Sequence, residues 1–190
     1  ERSIGFNKLI NNNKFIEQIN LLDPINGDWN AESIKKPFRK IINSGKKIDY
    51  VFVHNDRMAY AAWQIAKEFD SKEEIKFIGV DGLNTKYGGI ELVKRGVLKA
   101  SILYPNGGEE AILLAEKILN NEPFNKNNFL KTIVINSFNV DLIESQIKKI
   151  TNQKIKIKNQ HLILNEQNKT FDRQKSLIIA IIFLFLIALF

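Results

Sequence analysis

The 190 residues carry 28 Lys and Arg against 21 Asp and Glu, a formal charge of +7, with 44% apolar and 26% charged side chains. That balance excludes a mostly disordered chain and fits one domain with something appended. There is no cysteine and there are only two histidines, His54 and His161, which excludes a disulfide scaffold, a thiolate metal site, a cysteine nucleophile and a His-rich metal cluster.

The positive charge is unevenly spread. Residues 1–140 hold 20 basic and 17 acidic side chains, and residues 141–190 hold 8 and 4. The body is therefore nearly neutral, and no nucleic-acid partner is expected. The tail lysines alternate with Asn and Gln rather than with aromatics, the pattern of a solvated helix face.

Taken in order, residues 2–13 read as a helix, and the apolar alternation of Phe15–Leu22 reads as a strand closed by Asp23-Pro24 and Asn26-Gly27-Asp28. Asn30 can cap a helix from Ala31 to about Asn43, which Ser44-Gly45 stops. DYVFVH at Asp49–His54 is a buried strand, followed by a helix from Asp56 through Phe69. Ile75–Val80 is a second strand, ending at Asp81-Gly82. A helix around Glu91–Arg95 ends at Gly96, Lys99–Leu103 is a strand closed by Tyr104-Pro105, and Gly107-Gly108 opens a helix to about Asn120. Thr132–Ile135 is the last strand. This alternation predicts an α/β fold with a mostly parallel sheet covered on both faces.

From Asp141 to Ser176 Gly and Pro vanish. Ile143, Ile150, Ile157, Leu164 and Phe171 fall seven apart, the spacing of one coiled-coil seam. Of the positions four residues further on, Ile147, Lys154, His161 and Asn168, only the first is apolar, so the seam is half built and an ordinary amphipathic linker is the competing reading. A helix of this length would run about 50 Å. It leads into LIIAIIFLFLIALF at Leu177–Phe190, which reads as the first part of a transmembrane helix. A buried core helix is the alternative, but a run with no polar face suits a globular surface badly.

In an open α/β sheet, ligands bind past the carboxyl ends of the strands. Asn55 and Asp56 follow the DYVFVH strand, Asp81 follows IKFIGV, Tyr104 follows KASIL, and Trp29 lies in the loop after Phe15–Leu22. An amide, a carboxylate, a phenol and an indole on one rim suit a polyhydroxylated ligand. Each also has a bland reading: Asn55 as a strand end, Asp56 as a helix cap, Asp81-Gly82 as a turn, Trp29 as core. Their recurrence at one edge favours the site. No catalytic set, cofactor motif or complete phosphate loop accompanies them, so an enzyme is the reading least supported.

The segments DYVFVHNDRMAYAA, IKFIGVDGL and GGIELVKRGVLKASILYPNGGEEAILLA, with RSIGF at Arg2–Phe6, resemble the C-terminal half of type I periplasmic sugar-binding proteins. That family includes ribose- and galactose-binding proteins and lactose-repressor effector domains. The resemblance covers residues 2–140. It implies a Rossmann-like C-terminal lobe whose first lobe is missing, with Arg2, Trp29, Asn55, Asp81 and Tyr104 as ligand contacts. Arg2 would donate to sugar oxygens, Asp81 would accept from hydroxyls, Asn55 would bridge and Trp29 would stack on the ring. Tyr104 stands where ribose binders carry Gln. Tyr104-Pro105 matches a crossover, so that the helix 107–120 would belong to the absent lobe.

The expected organisation is therefore a binding-protein-like domain over residues 1–140, a helical linker over 141–176 and the start of a transmembrane helix over 177–190. As a whole this resembles the periplasmic sensor domain of a hybrid two-component histidine kinase of the Bacteroidetes type. Residues 1–176 would lie on the periplasmic side of the inner membrane, with a small sugar as ligand, no cofactor, and a homodimer formed through the linker helix. A membrane-tethered binding protein of an ABC transporter and a repressor effector domain are the alternatives.

Overall fold

In the computed structural model, residues 2–11, 16–69 and 75–188 are described. They divide into two compact units, residues 1–144 and residues 145–190.

Unit 1 is built on four short strands: β1 (Tyr50–Phe52), β2 (Lys76–Asp81), β3 (Ala100–Leu103) and β4 (Ile133–Asn136). They lie side by side in chain order. β1, β2 and β3 are parallel, in register Phe52–Ile78 and Val80–Ile102, whereas β4 runs antiparallel to β3 with Ser101 opposite Ile135. The parallel pairs are linked by helices α3 (Asp56–Glu68) and α4 (Gly89–Lys94). Both crossovers step the same way across the sheet, which puts α3 and α4 on one face. There they touch each other, and α2 (Ala31–Asn43) packs against α3.

The core lies under those helices. Phe77 on β2 meets Phe38 of α2 edge to face at 6.2 Å, and Ile65, Ile90, Leu92, Leu98 and Ile135 are fully buried. Burial of such side chains contributes roughly 1.5–3 kcal/mol each before the entropy of ordering is charged against it. The expected cover on both faces is only partly present. On the second face Phe6 of α1 (Arg2–Asn11) stacks on Phe52 with ring centres 5.1 Å apart, while Tyr50 and Val134 stay exposed.

The expected helix ends are met for local reasons. Asn30 Oδ1 accepts from the Glu32 amide at 2.9 Å, and the Ser44 and Gly45 amides close α2 on the carbonyls of its last turn. Residues 12, 13 and 15 lie outside the described residues, so α1 is described only to Asn11. The strand expected over 15–22 is not present: Ile16–Gln18 is a 3-10 turn and 19–22 is irregular, with Ile19 and Leu21 exposed. Alternation alone does not make a strand. A neighbouring backbone must pair with it, and no described residue does so here.

Helix α5 (Gly108–Leu119) starts after Gly107, whose φ of 65° favours glycine, and buries none of its residues. Helix α6 (Val140–Ala188) begins in unit 1, where Val140 and Ile143 are buried. Ile143, read as the first rung of the linker seam, is therefore part of unit 1's packing.

The second unit is the remainder of α6. The apolar stretch from Leu177 is helical, as expected, through Ala188. Among the described residues no helix is long and apolar enough to cross a membrane. The described part of the stretch, residues 177–188, rises about 18 Å at 1.5 Å per residue, against a hydrocarbon core of about 30 Å.

Candidate functional site

The site forms where β1, β2 and β3 end. The last residue of β2, Asp81, has φ 115°, and Gly82 follows with φ 62°. A left-handed Asp followed by a left-handed Gly is a costly backbone, of the kind retained where surrounding structure holds it. Trp29 is also left-handed, at φ 57°, in the loop before α2.

Arg2, at the start of α1, joins the site residues. Its Nη2 donates to Asp81 Oδ1 at 3.1 Å, and its Nη1 donates to the His54 carbonyl just past β1. Its guanidinium carbon lies 5.1 Å from the Trp29 ring centre and 4.7 Å from that of Tyr104. Cation–π attraction of this kind supplies about 0.5–1 kcal/mol per contact at exposed sites. The Arg2 and Asp81 side chains are 22% and 31% exposed, while Trp29 and Tyr104 are 66% and 53% exposed. The result is an open patch with two aromatic faces around one charge pair.

Of the five residues named from sequence, Arg2, Trp29, Asp81 and Tyr104 thus come together. Asn55 is engaged differently. Its Oδ1 accepts from the Met58 amide at 2.7 Å, so it is the cap of α3, and its Nδ2 lies 3.2 Å from Met58 Sδ. One half of its amide is committed to the helix.

Two further side chains belong to the same neighbourhood. His54 lines the patch, with its ring 6.3 Å from that of Trp29 and 5.8 Å from that of Phe52. Burial and then the Arg2 charge hold the imidazole below its ordinary pKa, which keeps it neutral at physiological pH. Its position after β1, beside Asn55, was the available signal.

The other is Asp56, expected on the rim after the DYVFVH strand, with a helix cap as its bland reading. It is 2% exposed. Its Oδ1 accepts from Ser101 Oγ at 2.6 Å and its Oδ2 from the Gly82 amide at 2.9 Å, while Ser101 Oγ also accepts from Gly82 at 3.1 Å. A Cβ on Gly79 or Gly89 would run into this carboxylate, so both glycines make the space it occupies. Burial, foremost, pushes the carboxyl up to about 6, with the hydrogen bonds from Ser101, Gly82 and Gly89 opposing and the Asp81 charge adding to the rise.

One turn further along α3, Tyr60 stacks on Tyr87 at 5.0 Å and on Trp63 at 5.9 Å. Tyr87 is in the loop between Gly82 and α4, again left-handed at φ 61°. Asp56 and Tyr60, on adjacent turns of one helix face, thus hold the beginning and the end of the loop that follows Asp81.

No family model and no curated protein matches this sequence. Solved structures do. The fructose-binding periplasmic domain of a hybrid two-component system is 33% identical, with a TM-score of 0.70 over 74% of this chain and 47% of that one. Unit 1 has the fold of a partial lobe of type I periplasmic sugar-binding proteins. A solute-binding protein of an ABC transporter from Agrobacterium vitis with bound D-fucose is 20% identical, with a TM-score of 0.62, over 76% of this chain and 49% of that one. A protein from Mycobacterium smegmatis is 23% identical, with a TM-score of 0.66, over 80% and 51%. The chain spans about half the length of these three proteins.

Proposed function

We propose that this chain supplies one lobe of a monosaccharide sensor and the helix that leads from it. The observation that carries the reading is the Arg2–Asp81 pair set between the exposed faces of Trp29 and Tyr104. A charged donor and a charged acceptor side by side suit vicinal hydroxyls, and flat aromatic faces suit the C–H groups of a sugar ring. The 33% identity to a fructose-binding sensor domain makes D-fructose the first ligand to try. Binding would be non-catalytic. A second lobe would close on the sugar, α5 would pack in that lobe, and the closure would pass through α6.

In this reading unit 1 is periplasmic, and the run 177–190 seats in the inner membrane as part of a longer apolar segment. A histidine kinase would receive the signal, and the moving unit would be two chains paired through their linker helices. The second reading, a tethered binding protein for an ABC transporter, is favoured by the fold shared with transporter components such as the D-fucose-bound protein.

Calorimetry of the intact protein carrying this chain, titrated with D-fructose, D-ribose, D-galactose and D-fucose, tests the sugar reading. Saturable binding of one of them is expected, and no heat from any monosaccharide sinks it. A sugar-responsive reporter separates the sensor from the transporter. Binding should also change indole emission through Trp29. Trp63, stacked on Tyr60 and flanked by Lys67 at 5.7 Å, sits away from the ligand residues and should report little. Trp29→Phe is expected to abolish most of the change; a variant that keeps all of it removes Trp29 from the stacking role.

A further inference from the structure

Within the second unit, the seven-residue spacing of Ile150, Ile157, Leu164 and Phe171 has a companion column three residues on. Those positions are Gln153, Gln160, Gln167 and Gln174, and Gln146 precedes Ile150 by four. They are all five glutamines of residues 141–176. Random placement over the seven heptad positions would align five of them only about once in two thousand times. In a heptad frame the apolar column is position a and the glutamine column position d, the two that face a partner helix. Two open depressions on this helix border the seam and extend over its flank at Leu162, Ile163, Glu166 and Thr170. One is bounded by Ile157, Gln160, Leu164 and Gln167, and the next by Gln167, Phe171 and Gln174. Ile150, Ile157, Leu164 and Phe171 are exposed in the single chain.

The glutamines identify what covers the face. A primary amide is both donor and acceptor, so the complement of a glutamine column is another glutamine column. A parallel pair of identical helices in register sets a against a and d against d, which gives apolar layers alternating with amide layers. An antiparallel pair sets each glutamine against Ile, Leu or Phe and strands its amide in apolar surroundings. A slip by fewer than seven residues does the same. Neither a bilayer nor an unrelated apolar helix offers five amides at this spacing.

We propose that residues 146–174 pair with a second copy of the same helix as a parallel, in-register two-stranded coiled coil, held by four apolar layers and oriented by five glutamine layers. The inference deepens the dimer reading of the linker, and its test contains no sugar, so failure of sugar binding and failure of pairing are separate results. Glutamine layers bury less apolar surface than leucine layers would, so the coil is weaker than an all-apolar one but specific in register. Lys149 at g of one helix faces Lys154 at e of the other, a like-charge contact that salt would screen.

The chain has no cysteine, so single thiols can be placed without background. Full-length chains carrying Gln153→Cys, Gln167→Cys or Lys169→Cys are oxidised in detergent, which holds the apolar end of α6 apart. Disulfide dimers are expected for Gln153→Cys and Gln167→Cys. None is expected for Lys169→Cys, which lies at f on the outer side of the coil, beyond the ~7 Å Cα limit for a disulfide. Equal yields at all three positions, no dimer at either d position, or dimers only in mixtures of two different variants would each overturn the proposal. Sedimentation of Gln153→Leu with Gln160→Leu gives an independent reading. Apolar d layers should tighten the dimer at least tenfold; an unchanged constant means that the glutamines face water and the proposal is wrong.

Discussion

Replacing Asp56 with Ala is expected to destabilise unit 1 by about 3 kcal/mol near pH 5, measured by urea unfolding. The deletion leaves the Gly82 amide and the Ser101 hydroxyl without their buried acceptor. It also empties the space that Gly79 and Gly89 leave for the carboxylate. The strained Asp81-Gly82 backbone then loses one of its anchors, so the variant should also open the loop to faster amide exchange at Gly82.

The same site gives stability a pH dependence of definite sign. The folded protein keeps a proton on Asp56 up to about 6, while an unfolded aspartate releases it near 4. Between those values the folded state binds the extra proton. Stability from this group is therefore complete below about pH 4 and lost as pH rises through 6, by about 3 kcal/mol at most. The groups acting on it are Asp81 on β2, which opposes ionisation, and the neutral donors Ser101 on β3, Gly82 and Gly89. Asp56→Asn mimics the protonated form. It should match the wild type below about pH 4, exceed it near pH 8 and remove this part of the slope. A wild type and an Asn variant with parallel pH profiles would show that the carboxyl titrates normally.

Most of the fold was legible because its signals are local. Asn30 and Ser44-Gly45 announce the ends of α2, and buried apolar runs followed by Asn, Asp or Tyr announce the strands. The segment 15–22 was not, because pairing is a property of two segments and only one of them is visible in an alternating pattern. The exchange of roles between Asn55 and Asp56 has a similar cause. Either can cap a helix, and the choice depends on Gly79 and Gly89, more than twenty residues away, leaving room for a buried carboxylate. His54 lies in the DYVFVHNDRMAYAA segment without a ligand role implied for it, and it joins the patch through its carbonyl, which accepts from Arg2.

The linker shows the opposite case, a signal present in the sequence but counted at the wrong offset. Companions four residues on, Ile147, Lys154, His161 and Asn168, are mixed. Companions three residues on are uniform. Heptad seams alternate steps of three and four, so both offsets bear on whether a seam is built. The apolar run beyond Ser176 forms the helix its composition announces, and among the described residues no helix is long and apolar enough to cross a membrane.

Asp81→Ala is expected to weaken monosaccharide binding by the intact protein about ten- to 150-fold, or 1.5–3 kcal/mol. The loss has two parts. A charged acceptor for sugar hydroxyls disappears, and Arg2 loses its ion-pair partner while keeping the His54 carbonyl and the Trp29 and Tyr104 faces. Arg2 would then be freer to swing, so its own contribution to binding falls as well. Arg2→Ala should cost a similar amount, because it removes the donor and uncouples the two aromatic rings. The double variant should lose much less than the sum of the two, since each single change already disables the pair. Calorimetry on the four proteins of this cycle measures the coupling directly. Additive losses would mean that Arg2 and Asp81 act on the sugar independently. Unchanged affinity in Asp81→Ala would remove the pair from the binding site altogether and leave it a structural tie between α1 and β2.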